Sequence, residues 1–241
     1  MTRTSCTKLY ACAARQRLFR WGLALLLLLA GRAPAAAQEA DDYIPPPLLG
    51  EGKVVRDFLP SGWRIIGQAS GDLNGDRRPD RALVLEDSTS FYRRDNADSS
   101  VFHPRLILVL LRHPSGGYRL RTQGINYHLI APRESGGCDD PFDTILIKKG
   151  VLEVQLHQFC AAGGWESGTS LFRFGYRGGA FPLHSARISS MHRATHAFTR
   201  TDYDAQRHRK VVYTEAGEGA KGTTVSTRWP EVPLLHQFSG L

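Results

Sequence analysis

The segment of the chain best suited to chemistry is a nine-residue run, D-L-N-G-D-R-R-P-D, at residues 72–80. Its first, third, fifth and ninth positions carry side-chain oxygen atoms: Asp72, Asn74, Asp76 and Asp80. Hard cations such as Ca²⁺ are bound by oxygen ligands, and alternate residues of a tight loop can direct such ligands to one point. The spacing therefore predicts a Ca²⁺ site in this loop.

Two other structures are compatible with an acidic run of this kind. An EF-hand requires a Glu at the twelfth position of its loop, and that position is Leu83, so an EF-hand is disfavoured. An Asx-rich turn would use the same carboxylates to accept hydrogen bonds from backbone N–H groups, without a metal. That second interpretation stays open.

The flanks of the run have the short apolar patterns of strands, at residues 63–68 and 82–86. With these flanks, the run resembles the D-x-D/N-G-D-G-x-x-D loop of FG-GAP and VCBS-type repeats, which occur in secreted and cell-surface proteins. The resemblance implies that the loop joins two strands and binds Ca²⁺. The ligands it implies are the side chains of the four residues named above and the carbonyl oxygen of Arg78.

The sequence departs from that pattern at Arg77, which stands where the family usually has Gly. If this position needs a positive φ, a residue other than Gly costs about 1 kcal/mol there. A weaker resemblance, to uncharacterised secreted bacterial proteins with a single loop of this type, spans residues 63–183 and implies no known activity. Because the sequence holds one copy of the loop, it cannot form a propeller from repeated blades.

The N-terminal segment 1–37 predicts export. It holds six basic residues and no acidic ones, a short apolar core at 23–30, and a small-residue A-x-A site that ends at Ala37. These are the three parts of a secretory signal peptide, and the apolar core is too short to span a bilayer. The expected location is therefore periplasmic or extracellular, with no membrane span in the mature chain.

The basic character of the chain resides largely in this segment. The full sequence has a net charge of +8, which falls to +2 without the six basic residues of the signal. A mature chain so close to neutral lacks the electrostatic surplus of a nucleic-acid-binding protein. Nucleic acid is therefore not an expected partner.

Two of the four cysteines, Cys138 and Cys160, lie in the predicted mature chain. In an oxidising compartment, an even pair is expected to form a disulfide. A two-residue turn at Lys149-Gly150 between the runs 145–148 and 151–154 predicts a hairpin. Its register places residue 139 opposite Cys160 and so brings Cys138 close. A free thiol pair or a metal site are the alternatives.

Short apolar runs separated by turn residues predict a mainly β fold, or an α+β fold, built as an antiparallel sheet or sandwich with the loop between two strands. The run 105–112 (R-L-I-L-V-L-L-R) has the continuous hydrophobicity of a strand buried on both faces. We expect an extended Pro-rich leader at 38–60 and a single domain at 61–241. Only residues 188–199 are compatible with a short helix.

Other possible chemistry is less well supported by the sequence. His192 and His196 would share one face of that helix, but a third zinc ligand is missing from the motif. Glu166-Ser167-Gly168 lacks the frame of a serine nucleophile. Carboxylates that could form a hydrolytic pair are Asp139, Asp140, Asp143 and Glu166. Three tryptophans could stack on sugars but are more often core residues in a β domain: Trp63, Trp165 and Trp229.

The sequence as a whole predicts an exported, Ca²⁺-binding β module with a binding or structural role. Its candidate partners are a cell-envelope protein or a glycan. The alternative is a secreted hydrolase, similar to a glycosidase, that uses an Asp/Glu pair.

Overall fold

A computed structural model describes residues 45–89, 91–95, 98–134, 137–161 and 164–240 of the chain. All of them belong to one compact unit, Glu39–Leu241. The predicted signal segment 1–37 lies outside the described residues. Within the described ranges, no helix is long and apolar enough to cross a membrane.

The described chain is mainly β, as the sequence predicts, and contains fifteen strands with three short 3₁₀ turns at Val55–Phe58, Thr122–Gly124 and Leu235–Gln237. The strands are β1 Glu51–Gly52, β2 Trp63–Gly71, β3 Asp80–Asp87, β4 Phe91–Asp95, β5 Asp98–His103, β6 Arg105–Arg112, β7 Tyr118–Leu120, β8 Arg133–Glu134, β9 Phe142–Lys148, β10 Val151–Phe159, β11 Glu166–Gly175, β12 Leu183–His192, β13 Phe198–Asp204, β14 Arg209–Glu215 and β15 Thr223–Arg228.

These strands form three antiparallel sheets. A five-stranded sheet has the order β1-β7-β6-β3-β2, and a seven-stranded sheet is a simple meander from β9 to β15. A small third sheet pairs β4, β5 and β8. None of the sheets closes into a barrel or a propeller, in agreement with the prediction from the single loop.

The five-stranded sheet is covered on both faces. On β6, the even-numbered leucines from Leu106 to Leu110 pack in one cluster with Phe58 and Trp63, while Ile107 and Val109 pack in the other cluster. Every residue of β6 except the last is buried. This double burial explains why the run 105–112 is continuously apolar rather than alternating.

The larger of the two clusters fills the space between the five-stranded and seven-stranded sheets. Val84 and Val109 from the first sheet meet Leu152, Phe172 and Phe174 from the second. Side chains that alternate along each strand supply one inward face per sheet, so the two sheets pack as a sandwich.

The C-terminal segment is part of this core. Leu235 and Phe238 are buried between the sheets. The buried side chain of Asn126 donates to the carbonyl oxygens of both residues, at 2.7 Å for Phe238, and accepts from the backbone N–H groups of His128 and Leu129. A buried amide with all of its partners in place fixes the end of the chain against the sandwich.

Two details of the sequence prediction are corrected. Residues 188–199 form no helix, because Ile188 to His192 continue β12 and Phe198 begins β13, with a turn between them. The predicted leader is part of the domain in its second half, since β1 pairs with β7 and Phe58 is buried against the five-stranded sheet. Residues 38–44 lie outside the described residues.

Candidate functional site

The acidic run 72–80 forms the connection between β2 and β3, as the sequence predicts. The ladder of these strands ends with the pair Gly71 and Asp80, so the loop stands at the tip of the hairpin. It lies against the tip of a second hairpin, near Ile147, Lys149 and Gly150. A Cβ atom at Gly71 would come within 2.5 Å of the Ile147 Cγ2, which explains the glycine before the run.

Asp72 organises the first half of the loop. Its Oδ1 accepts hydrogen bonds from the backbone N–H groups of Gly75, at 2.7 Å, and Asp76, at 3.2 Å. Its Oδ2 accepts from the backbone N–H of Arg77 at 2.7 Å. One carboxylate therefore draws three successive backbone N–H groups around itself, and this contact folds the loop tightly.

Asp76 is held by its two neighbours at alternate positions. Its side chain accepts from the Arg78 backbone N–H at 2.8 Å, from the Arg78 guanidinium at 3.0 Å and from the Asn74 amide at 3.1 Å. The Asn74 Oδ1 in turn accepts from the Asp76 backbone N–H at 3.0 Å. The hydrogen bond from the Arg78 backbone lowers the pKa of Asp76, so the residue stays ionised.

Asp80 is fully buried at the base of the loop. It accepts 2.8 Å hydrogen bonds from the backbone N–H groups of Leu73, inside the loop, and Arg112, at the end of β6. Burial raises the pKa of Asp80, hydrogen bonds from these two N–H groups oppose the effect, and the charges of Asp76 and Asp72 raise it further. Asp72 and Asp76 are thus close enough to Asp80 to oppose its ionisation.

Arg77 adopts a left-handed conformation with φ of +64°. The sixth position of the loop therefore has a positive φ. The Gly that usually stands there in FG-GAP and VCBS-type loops, which this run resembles, implies the same conformation. The Cβ atom of Arg77 makes this conformation costly by about 1 kcal/mol.

The oxygen atoms of the loop suit a Ca²⁺ ion by their chemistry, since all are hard donors and three carry charge. Their arrangement is that of a turn in which carboxylates cap backbone N–H groups. Among the described residues, no three side chains of His, Cys, Asp or Glu are grouped around a metal position. Ca²⁺ binding would therefore require a local rearrangement of these side chains.

The two cysteines of the described chain form the predicted disulfide, with an S–S distance of 1.95 Å and a Cα–Cα distance of 3.8 Å. The hairpin follows the predicted register from the pair Lys148 and Val151 as far as Gln155, where a bulge shifts the pairing by one residue. That shift places Cys138 directly opposite Cys160 rather than one residue away.

A groove of about 450 Å³ opens beside this disulfide. Its floor is a face of the seven-stranded sheet and includes Leu156 and Ile188, which are partly buried and pack against the larger core cluster. One wall is made by Pro132, Pro141 and the disulfide. The groove surface is mainly apolar, and the polar residues in its lining are Asp139, His157, Gln158, Thr169, Ser170, Ser189 and Ser190.

The three tryptophans that the sequence suggested for sugar stacking are separated. Trp63 and Trp229 lie in different core clusters, whereas Trp165 is 64% exposed. The Trp165 ring stacks on the ring of His192, with their centroids 6.1 Å apart and their planes inclined by 24°. Trp63 and Trp229 are therefore core residues, the more common role noted above, and the exposed Trp165 pairs with the half-buried His192.

A charged cluster that the sequence analysis missed lies between the two large sheets. The guanidinium of Arg105, fully buried, binds Glu86 at 2.6 Å and Asp140 at 2.6 Å through both oxygens of the latter. Arg64 binds the second oxygen of Glu86 at 2.5 Å. The sequence does contain a feature that could have predicted this cluster, because Glu86 and Arg105 are charged residues at the ends of otherwise apolar strands.

Burial opposes the ionisation of both acids in this cluster. Hydrogen bonds from Arg64 and Arg105 outweigh it for Glu86, and one from Arg105 outweighs it for Asp140, so the pKa of each carboxyl lies below its ordinary value. The contacts join β3 and β6 to Asp140, two residues before β9, and therefore connect one sheet to the other. The arrangement is a fully paired structural cluster.

The other candidate residues are held in separate contacts. Asp140 belongs to the charged cluster, Asp143 accepts from Gln155 at 2.7 Å, and Glu166 accepts from Ser190. Asp139 lines the groove. Three of these four carboxylates are thus each bound to a different partner, and no hydrogen bond connects one of the four to another among the described residues.

Of the two histidines considered for zinc, His192 ends β12 and His196 lies on the turn between β12 and β13. His192 Nδ1 contacts Thr195 at 3.0 Å, and His196 Nδ1 lies 3.2 Å from Glu218. Because the segment is a turn and not a helix, the spacing of four residues does not place the two rings on a common face.

Comparison of the chain with protein-family models, curated proteins and solved structures finds no match. The site must therefore be interpreted from its own geometry.

Proposed function

We propose that this protein is an exported β module that binds a partner in the cell envelope and is stabilised by one Ca²⁺ ion in the loop 72–80. The observation that carries the proposal is the clustering of three carboxylates at one hairpin tip, where burial raises the pKa of Asp80 and repulsion by the charges of Asp76 and Asp72 raises it further. A divalent cation would relieve this repulsion. Asp72, Asn74, Asp76 and Asp80 would hold it, with the Arg78 carbonyl.

Several further features support a binding or structural role. The disulfide between Cys138 and Cys160 suits an oxidising compartment. Three of the four carboxylates considered for hydrolysis, Asp140, Asp143 and Glu166, are engaged in separate contacts, which favours a module over a hydrolase. Export itself would follow from cleavage after Ala37, and the intact mass of the exported protein measures that cleavage.

Thermal unfolding with and without Ca²⁺ tests the metal. A ligand that binds only the folded state stabilises it by about 2.7 kcal/mol at a hundredfold excess over its Kd. We expect the melting temperature of the mature protein to be several degrees higher in millimolar Ca²⁺ than in chelator. Asp76→Ala should abolish this difference, whatever its effect on the melting temperature itself.

Asp143→Ala is the matched control, because it removes an exposed carboxylate outside the loop and should keep the full response to Ca²⁺. Calorimetry without a heat of binding at millimolar Ca²⁺, together with equal melting in Ca²⁺ and chelator, would contradict the proposal. The loop would then be an Asx-rich turn that needs no metal.

A further inference from the structure

We propose that the groove beside the disulfide and the ring pair of Trp165 and His192 together bind a saccharide chain. The proposal deepens the function given above, since it rests on the role of this protein as an exported binding module and names the class of partner. It does not depend on the metal loop.

The register of the sheet joins the groove to the ring pair. β11 and β12 pair Ser170 with Ile188, then Gly168 with Ser190, then Glu166 with His192. Side chains of these alternate positions share one face of the sheet, and successive pairs on that face are about 7 Å apart. The hydrogen bond from Ser190 to Glu166 connects two neighbouring pairs and shows that their side chains lie on this same face. The face therefore leads from the groove floor to the His192 ring, on which Trp165 stacks.

The ring pair is held in place by Arg193. The guanidinium of Arg193 donates to the carbonyl oxygens of Cys160, at 2.7 Å, and Gly164, and its backbone N–H donates to the Trp165 carbonyl at 2.7 Å. It also lies 4.7 Å from the centre of the Phe159 ring. These contacts fix the chain on both sides of Trp165, so its exposed ring is presented in a defined position and needs little ordering on binding.

The chemistry of the lining fits a saccharide. Sugar rings have apolar C–H faces, which pack on aromatic and aliphatic surfaces, and hydroxyl edges, which need hydrogen-bonding partners. Trp165, Leu156 and Ile188 offer surfaces of the first kind. Hydrogen-bonding partners for the sugar hydroxyl groups are Asp139, Gln158, Ser170 and Ser190. A few polar groups placed around an apolar surface are what sets orientation in small-molecule sites.

Other elongated ligands fit this surface less well. An extended peptide is usually bound by addition to an open strand edge. Here the groove floor is the face of a sheet in which β10, β11 and β12 are already paired on both sides. An aliphatic lipid chain would cover the hydroxyl and amide groups of the lining without hydrogen bonding to them, which is costly.

Calorimetric titration with defined hexasaccharides tests the proposal, with cellohexaose, chitohexaose and mannohexaose as probes for the mature protein. We expect at least one to bind and to shift the tryptophan emission to the blue, because Trp165 is the exposed tryptophan of the described chain. Trp165→Ala should weaken that binding at least tenfold. Val225→Ala, which removes an apolar side chain that is 57% exposed on the far edge strand, should leave it unchanged.

Absence of binding by all three hexasaccharides at millimolar concentration would overturn the proposal, and so would equal affinities of Trp165→Ala and the wild type. Repeating the titration in Ca²⁺ and in chelator separates this proposal from that of the metal. Sugar binding in both conditions, with no effect of Ca²⁺ on melting, would leave the groove proposal standing and remove only the calcium site.

Discussion

Some residues of the loop 72–80 stabilise its conformation, and one residue destabilises it. Asp72 and Asp80 cap backbone N–H groups at two points of the hairpin tip and stabilise it without any metal. Arg77 does the reverse, because its positive φ is unfavourable for a residue with a Cβ atom. The carboxylates of the loop therefore favour its folded conformation, while the backbone is strained at Arg77.

Arg77→Gly should relieve that strain. The greater entropy of the unfolded chain with glycine offsets part of this gain, so we expect a net stabilisation of about 0.5 kcal/mol. For a chain of this length, that corresponds to an increase of about 1–2 °C in melting temperature. Thermal unfolding in chelator measures it without any contribution from Ca²⁺.

Arg77→Ala is the control, since it removes the same charge but keeps the Cβ atom. It should show no comparable increase. If Arg77→Ala and Arg77→Gly melt at the same temperature, the backbone conformation is not the source of the strain.

At the scale of elements, the hairpin of β9 and β10 determines where the disulfide forms. Its turn, Lys149-Gly150, has positive φ at both residues, which is the twist that a two-residue hairpin turn requires. The bulge near Gln155 then sets the alignment of the strand ends, and the disulfide between Cys138 and Cys160 closes them. The same bond forms part of the groove wall.

Removing this disulfide should destabilise the protein. The cysteines are 22 residues apart, and a loop of that length contributes about 3 kcal/mol in the chain-entropy model. The double variant Cys138→Ser/Cys160→Ser should lower the free energy of unfolding in urea by about this amount. Chemical reduction of the wild type should reproduce the loss. A urea midpoint that neither treatment changes would show that the bond carries no stability.

At the scale of the whole molecule, the two large sheets are joined by apolar packing and by the charged cluster around Arg105. Buried charges of this kind are tolerated only when every partner is present. Because Glu86 is nearly inaccessible and Asp140 comes from the other half of the sandwich, the cluster fixes the relative position of the sheets. Its loss would affect the fold as a whole.

The cluster makes a prediction about pH. The pKa values of Glu86 and Asp140 are lowered in the folded protein, so their contribution to stability is complete above the unfolded pKa values, near 4. It is lost as the pH falls through the folded values. We therefore expect the melting temperature to decrease steadily below about pH 5.

Asp140→Asn tests this prediction, because it keeps the shape of the side chain and removes its titration. The variant should be less stable than the wild type at pH 7, and its melting temperature should fall less steeply between pH 5 and pH 3. The raised pKa of Asp80 acts in the opposite direction in both proteins and cancels in the comparison. Parallel pH profiles would show that Asp140 contributes nothing to the acid sensitivity.

The local features of this protein were determined by its sequence. Alternating patterns and turn residues predicted the β fold, the strand 105–112 and the hairpin with its two-residue turn, and the spacing of cysteines in that register predicted the disulfide. The position of the loop 72–80 between two strands was also predicted. Each of these depends on residues close in sequence or on one hairpin register.

The tertiary structure decided the features that depend on contacts between distant residues. A short segment such as 188–199 has too weak a pattern to separate a strand and turn from a helix. Trp63 and Trp229 are buried because they pack in the two core clusters, whereas Trp165 is exposed. The pairing of Arg105 with Glu86 and Asp140 requires two sheets to meet. Packing, and not local preference, assembles the cluster and the groove.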